Sequence, residues 1–142
     1  MNVSLGPRLH RIDRDRIAPL VVGGIWLAGA AFNAISTLRQ PDPYTWVEES
    51  KVQPYRWFFG EVAGRNPSFW TLALIAGEIA LGLLTIAGGK WTRLGLLGGT
   101  VFSLFLFSLA TPYTMMMGGY AALLAWLAWR ERRSDQTKGS AA

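Results

Sequence analysis

Four long apolar runs limit what this chain can fold into more than any other feature of its sequence. They cover residues 17–38, 69–88, 93–110 and 113–129, so each contains 17 to 22 residues. A helix rises about 1.5 Å per residue, and runs of this length match the roughly 30 Å hydrocarbon core of a bilayer. Backbone groups in lipid need partners within their own segment, and these runs lack the alternation of barrel strands. The sequence therefore predicts an all-α fold, an integral membrane four-helix bundle.

The composition fits this class of protein. Hydrophobic residues make up 51% of the 142 residues and charged residues only 16%, which is unlike an ordinary soluble domain. A soluble bundle would also need a polar stripe on each helix, and "LGLLGGTVFSLFLFSLA" has none. The first run could be mistaken for a secretory signal, but it exceeds the roughly 7 to 15 apolar residues of a signal core. We expect an uncleaved first helix and a single membrane domain.

The distribution of positive charge predicts the orientation. With four crossings, ten of the 14 Lys and Arg residues lie on one side, in the tail 1–16, the turn between the second and third runs, and the tail 130–142. Four lie in the loop 39–68. The positive-inside rule then predicts cytoplasmic N- and C-termini and an outer loop. Because the cations cluster at the ends of apolar runs, the net charge of +5 indicates contact with the lipid bilayer and not with nucleic acid.

The outer loop, residues 39–68, is unusually rich in aromatic residues. Its section "PYTWVEESKVQPYRWFFGEV" mixes aromatic and charged side chains, a mixture typical of segments in the headgroup layer. We expect one or two short helices lying flat, with Trp46, Tyr55 and Trp57 as the aromatic contacts. The segment could be an aromatic anchor, a lid over a cavity between the helices, or a docking surface for a partner.

An acidic residue, Glu78, lies near the centre of the second run. Residues seven apart differ by only about 20° around a helix, so Thr71, Glu78 and Thr85 share one face. A charge at this depth is costly, and polar residues there usually face other helices. We therefore expect this face to meet protein, with candidate partners on the first and third runs: Asn33, Thr100 and Ser103. Asn33 lies roughly 8 Å outward of Glu78 when depth is counted at 1.5 Å per residue.

Two hypotheses for Glu78 remain open at this point. No Lys, Arg or His lies well inside any run, so we expect the carboxyl to be protonated and able to donate a hydrogen bond. In the first hypothesis it is a structural hydrogen bond between helices, worth roughly 0.6 kcal/mol. In the second it accepts protons or binds a ligand in a cavity that meets a quinone, a lipid or a small solute.

Other patterns exclude several kinds of site or indicate packing. The chain has no cysteine, and its one histidine, His10, lies in the basic tail, so no metal site or bis-histidine haem is expected. The methionines of "TMMMGG" point about 100° apart on a helix and are read as apolar filler. Glycines are expected where helices approach closely. These are Gly77, Gly82, Gly95, Gly98 and Gly99.

The stretch "GEIALGLLTIAGGKWTRLG", with Glu78, Gly82, Thr92 and Arg93, resembles the signature of the DoxX/DoxD superfamily. In that signature an acid opens the motif of the second helix and a Thr-Arg pair begins the third. The resemblance extends over residues 17–130. The chain differs from the usual pattern by its long aromatic loop and by the extra "GKW" before Thr92.

The resemblance implies a small protein of the bacterial inner membrane with four crossings. Some members are linked to oxidoreductase assemblies, including a thiosulfate:quinone oxidoreductase. We therefore predict an accessory subunit of a membrane oxidoreductase or quinone-linked system, paired with an oxidoreductase subunit or with its own copies, and without an evident cofactor of its own apart from a candidate quinone. Activity on its own is not expected. The alternatives are a small-molecule or lipid binding or transport protein with a cavity around Glu78, and a membrane assembly factor.

Overall fold

The computed structural model describes residues 14–39, 50–109, 111 and 114–139, and within these ranges the chain is helical, with turns and no strand. The predictions made for the tail before residue 14 and for Trp46 lie outside the described residues. The elements are α1 (Arg14–Arg39), α2 (Gln53–Trp57), a π-helical turn (Phe58–Ala63), α3 (Pro67–Ala87), α4 (Lys90–Ser108) and α5 (Met117–Gly139). The predicted all-α class is therefore confirmed.

Three of these helices, α1, α3 and α4, are long and apolar enough to cross a membrane. Only 22 to 28% of the residues in their apolar windows are buried inside the protein. Large apolar side chains such as Phe32 (70% exposed) and Val101 (69%) face outward, as expected when the surrounding solvent is lipid. These features are those of a membrane protein.

The last helix differs from its predicted bounds. It begins at Met117 instead of residue 113, and it continues past residue 129 into a polar half that carries Arg130, Glu131, Arg132 and Arg133. Because of this half, α5 as described, Met117–Gly139, is not among the helices long and apolar enough to cross a membrane. A fourth crossing by residues 113–129 stays a prediction.

The long helices pack in sequence order, α1 on α3, α3 on α4, and α4 on α5. A core of Val22, Trp26, Leu96, Leu124, Leu127 and Ala128 joins α1, α4 and α5. The indole of Trp26 is central, since its ring centroid lies 5.7 Å from that of Phe102 and 5.8 Å from that of Tyr120. Gly99 makes room for it, because a Cβ there would come within 3.2 Å of the indole nitrogen.

Glycines set the closest approaches between helices, as the sequence predicted. Gly23 of α1 and Gly82 of α3 face each other so closely that a Cβ on either would lie within 3.0 Å of the other's carbonyl oxygen. Leu27 fills the space over Gly82, and Gly95 of α4 packs directly against the backbone and hydroxyl of Thr85. The prediction for Gly77 is wrong, because this residue is exposed and a Cβ there would meet nothing within 4 Å.

The turn between α3 and α4 consists of Gly88 (φ 93°) and Gly89 (φ 58°), a backbone region that glycine favours. The guanidinium of Arg16, near the start of α1, lies against Gly88. We call this end of the molecule the turn end. The opposite end carries residues 50–66, which we call the aromatic segment. We call this opposite end the segment end.

Candidate functional site

The side chain of Glu78 forms a hydrogen bond across the interface between α3 and α1. The Nδ2 of Asn33 donates to Oε2 of Glu78 at 2.8 Å. The carboxyl is buried, with Glu78 8% exposed, and the missing side chain of Gly29 leaves the space that it occupies. The predicted inward orientation of this residue is confirmed, and its carboxyl has a partner on the neighbouring helix.

The two residues meet although their backbone positions lie at different depths. Side chains on a helix lean toward its N-terminus. Since α1 starts at the turn end and α3 at the segment end, Asn33 leans toward the turn end and Glu78 leans the other way. The two side chains therefore close the axial offset that the sequence indicates. Depth counted from residue numbers alone ignores this lean, and the lean is the signal that could have identified the pair.

The threonine hydroxyls of the predicted polar site each donate to a carbonyl of their own helix. Thr71 donates to the Pro67 carbonyl (2.9 Å), Thr85 to that of Leu81 (2.7 Å) and Thr100 to that of Leu96 (2.8 Å). Each bond joins a hydroxyl to the carbonyl four residues earlier in the same helix, which satisfies the hydroxyl locally. Among the described residues, Asn33 and Glu78 are joined by a side-chain hydrogen bond between helices, and the Thr85 carbonyl accepts a bond from Thr92 of α4.

Ser103, the other predicted partner on α4, is fully buried. Its hydroxyl has no hydrogen-bond partner in the described part of the chain, and the same holds for the indole nitrogen of Trp26 and the hydroxyl of Tyr120. No sequence pattern singled out these two aromatic residues.

The other residues that resemble the DoxX/DoxD signature, Gly82, Thr92 and Arg93, lie where helices join. The hydroxyl of Thr92 donates to the Thr85 carbonyl at 3.0 Å and accepts from the Gly88 N–H at 3.1 Å. It thereby satisfies a carbonyl at the end of α3 and a donor in the turn, two of the groups that a helix end leaves free. Gly82 is the packing surface for Leu27, and Arg93 lies half-buried in the first turn of α4.

The aromatic segment is fixed to the ends of the long helices. The hydroxyl of Ser50 donates to the Leu109 carbonyl, and that of Tyr55 donates to Ser108 Oγ at 2.7 Å, since the Ser108 hydrogen is used by the Phe105 carbonyl. The Tyr55 and Phe105 rings make an edge contact, with centroids 6.0 Å apart. Of the predicted aromatic contacts, Tyr55 thus packs on α4, whereas Trp57 is 62% exposed.

An apolar cavity of about 300 Å³ lies beneath this segment. It is bounded by the π-helical turn, the first turns of α3 and the last turns of α4, and Glu78 is not among its lining residues. The lining residues are Phe58, Phe59, Trp70, Ala73, Leu74, Phe102, Phe105, Leu106 and Leu109. Their three-and-four spacing along α3 and α4 is visible in the sequence, but nothing local indicates that the two faces and the segment meet.

Cations accompany the tryptophans at the turn end. Lys90 lies 5.2 Å from the centroid of Trp91, and Arg133 lies 3.9 Å from that of Trp129. Arg130 makes a similar contact with Trp126 at 5.6 Å. Such pairs are favourable at a membrane surface, where the ring faces the lipid boundary and the cation faces water.

Within the described residues, no three His, Cys, Asp or Glu side chains lie close enough to hold a metal ion. Comparison of the chain with known protein families, with curated proteins and with solved structures finds no match. The resemblance to the DoxX/DoxD superfamily therefore stays a prediction.

Proposed function

We propose that the protein is a DoxX-like accessory subunit of an oxidoreductase or quinone-linked system in the bacterial inner membrane. In this proposal residues 113–129 complete a four-helix bundle with four crossings, and both tails are cytoplasmic. Two observations support the orientation: ten of the 14 cationic residues lie, by sequence, in the two tails and the turn between the second and third runs, and three of them pair with tryptophans at the turn end.

The observation that carries the proposal is that the polar residues, and the residues that resemble the DoxX/DoxD signature, form contacts between helices. Glu78 is engaged by Asn33, Thr92 closes the turn after α3, and Gly82 lets α1 approach α3. Each of these residues joins helices to one another. Such an arrangement provides a rigid membrane-embedded scaffold, and it supports a subunit that positions a redox partner instead of carrying out the chemistry itself.

Copurification tests this function. The protein, expressed at its native level with a C-terminal tag, is extracted in mild detergent, and mass spectrometry identifies the proteins and small molecules that remain bound. We expect an oxidoreductase subunit in a fixed ratio, retained also by the Glu78→Gln variant. A monodisperse protein without such a partner, holding only lipid or solute or its own copies, would overturn the proposal.

The orientation has a separate test. A reporter active only in the cytoplasm, fused after Arg133, should be active, and the same reporter inserted after Gly64 in the aromatic segment should be silent. Activity in the reverse pattern would overturn the proposed topology without bearing on the redox partner.

A further inference from the structure

The apolar cavity beneath the aromatic segment has the position and the lining of a site for a lipid chain. Its residues on α3, from Trp70 to Leu74, and on α4, from Phe102 to Leu106, lie in the terminal turns of the two helices, and Leu109 directly follows α4. Two helical turns span about 11 Å, so the cavity lies in the hydrocarbon layer close to the membrane surface. Membrane lipids surround the protein at this depth.

The lining indicates the chemistry of the occupant. Every lining residue is aromatic or aliphatic, so a polar solute would lose its hydration without finding a set of partners. The volume of about 300 Å³ is at the lower end of the range for ligand sites in proteins, which suits one flexible hydrocarbon chain better than a bulky ring system.

The segment above the cavity has the charge to receive a lipid phosphate. Lys51 and Arg56 are both exposed, and Arg56 precedes the cavity residues Phe58 and Phe59 by two and three positions. Glu61, the acidic residue of the segment, is engaged by Arg65 at 3.4 Å. Cations at this level attract anionic headgroups.

The segment also has an uncommon backbone. Phe58 and Phe59 open a π-helical turn, a geometry that is rare and is often found at functional sites. Phe58 packs edge-on against Trp70, with centroids 5.3 Å apart, so the π-helical turn forms one wall of the cavity. We infer that this cavity binds one acyl chain of an anionic phospholipid, with the phosphate beside Lys51 and Arg56 and the π-helical turn as its cap.

Lipid retention tests the chain site. The wild-type protein, Ala73→Phe and Ala76→Phe are reconstituted in phosphatidylglycerol vesicles and returned to detergent, and native mass spectrometry counts the bound lipids. Both alanines are exposed on the same helix, but Ala73 lines the cavity and Ala76, the matched control, does not. We expect Ala73→Phe to reduce retention by roughly tenfold and Ala76→Phe to leave it unchanged. Equal retention by all three proteins, or equal loss in both variants, would overturn the inference.

Two further measurements keep the inference testable if Ala73→Phe does not fold. Wild-type protein loaded with a phosphatidylglycerol that carries a diazirine in its acyl chain, then washed with unlabelled lipid and irradiated, should be labelled at Trp70 and Phe105 and not at the lipid-facing Val101. Equal labelling of all three residues would show only bulk lipid. The variant Lys51→Gln/Arg56→Gln should lose the preference for phosphatidylglycerol over phosphatidylcholine, and an unchanged preference would overturn the headgroup part.

Discussion

Helices α3 and α4 are held together in opposite ways at their two ends. At the turn end Gly95 packs directly on Thr85, and the Thr92 hydroxyl bonds both to α3 and to the turn. At the segment end, bulky side chains such as Phe102 and Leu74 leave a cavity of about 300 Å³, which lies beneath the aromatic segment.

This difference arises from residue size and not from helix propensity. Where a glycine faces the neighbouring helix, backbones approach and dispersion contacts accumulate, which is a main source of stability between helices in lipid. Where aromatic residues face each other, the helices are kept apart and space remains between them. The turn end is thus suited to stability and the segment end to binding.

The largest effect should come from the closest contact at the turn end. A Cβ at position 95 would lie 2.6 Å from the Thr85 backbone nitrogen, and backbone cannot move aside cheaply. We expect Gly95→Leu to destabilise the protein by about 3 kcal/mol or more, measured as the loss of the monodisperse peak in size-exclusion chromatography and of thermal stability. The matched control is Gly77→Leu, which faces open space; equal losses in the two variants would contradict the role of close packing.

A smaller effect is expected for the hydrogen bonds of the turn. Thr92→Val keeps the shape of the side chain but leaves the Thr85 carbonyl and the Gly88 N–H without their partner, which should cost about 1 to 2 kcal/mol of unfolding free energy. Thr100→Val is the control, because its hydroxyl bonds only to a carbonyl of its own helix. Reversible unfolding in mixed micelles measures the stability of both variants. A loss for Thr100→Val as large as that for Thr92→Val would argue against a role of the Thr92 bonds in joining α4 to the end of α3.

The hydrogen bond between Asn33 and Glu78 lies midway between the two ends, and it should contribute still less to the unfolding free energy. We expect a coupling of roughly 0.6 kcal/mol in a double-mutant cycle of Asn33→Ala and Glu78→Ala. Glu78→Gln should be almost neutral for stability, since an amide can still accept the bond from Asn33. Zero coupling would contradict a structural role, and a loss of partner-linked activity in Glu78→Gln with unchanged stability would instead favour proton exchange at this residue.

The smallest effect should be found at the segment end. Tyr55→Phe removes the bond to Ser108 but keeps the ring against Phe105, so global stability should change by less than about 0.5 kcal/mol. Hydrogen exchange should nevertheless become faster within residues 50–66 and stay the same in α4 near the turn. Faster exchange at the turn end would mean that the two ends are not independent.

The burial of Glu78 follows from sequence because it depends on periodicity within one helix. Thr71, Glu78 and Thr85 recur every seven residues, and the structure buries all three. The glycine contacts at Gly82 and Gly95 follow for the same local reason. The start of α4 at Lys90 does not follow from the sequence pattern. The positive-φ pair Gly88 and Gly89 ends α3 and lets α4 begin before the apolar run.

The partner of Glu78 and the cavity depend on relations between distant parts of the chain. Pairing with Asn33 requires both the antiparallel register of α1 and α3 and the lean of the two side chains. The cavity requires three segments, on either side of Glu78 in sequence, to converge at one end. Spacing along a single helix contains neither relation, so the sequence could offer a lid over a cavity between the helices as one alternative but could not name the residues that line it.

The reciprocal glycines of α1 and α3 also limit how the molecule can move. Leu27 occupies the notch over Gly82, and Ile86 occupies the one over Gly23. Sliding α1 by one turn, about 5.4 Å, would bring Leu27 opposite a residue with a full side chain. A slide of α1 by a whole turn is therefore opposed, and the contact favours tilting or opening about this fixed point, with its greatest amplitude at the far ends of the helices.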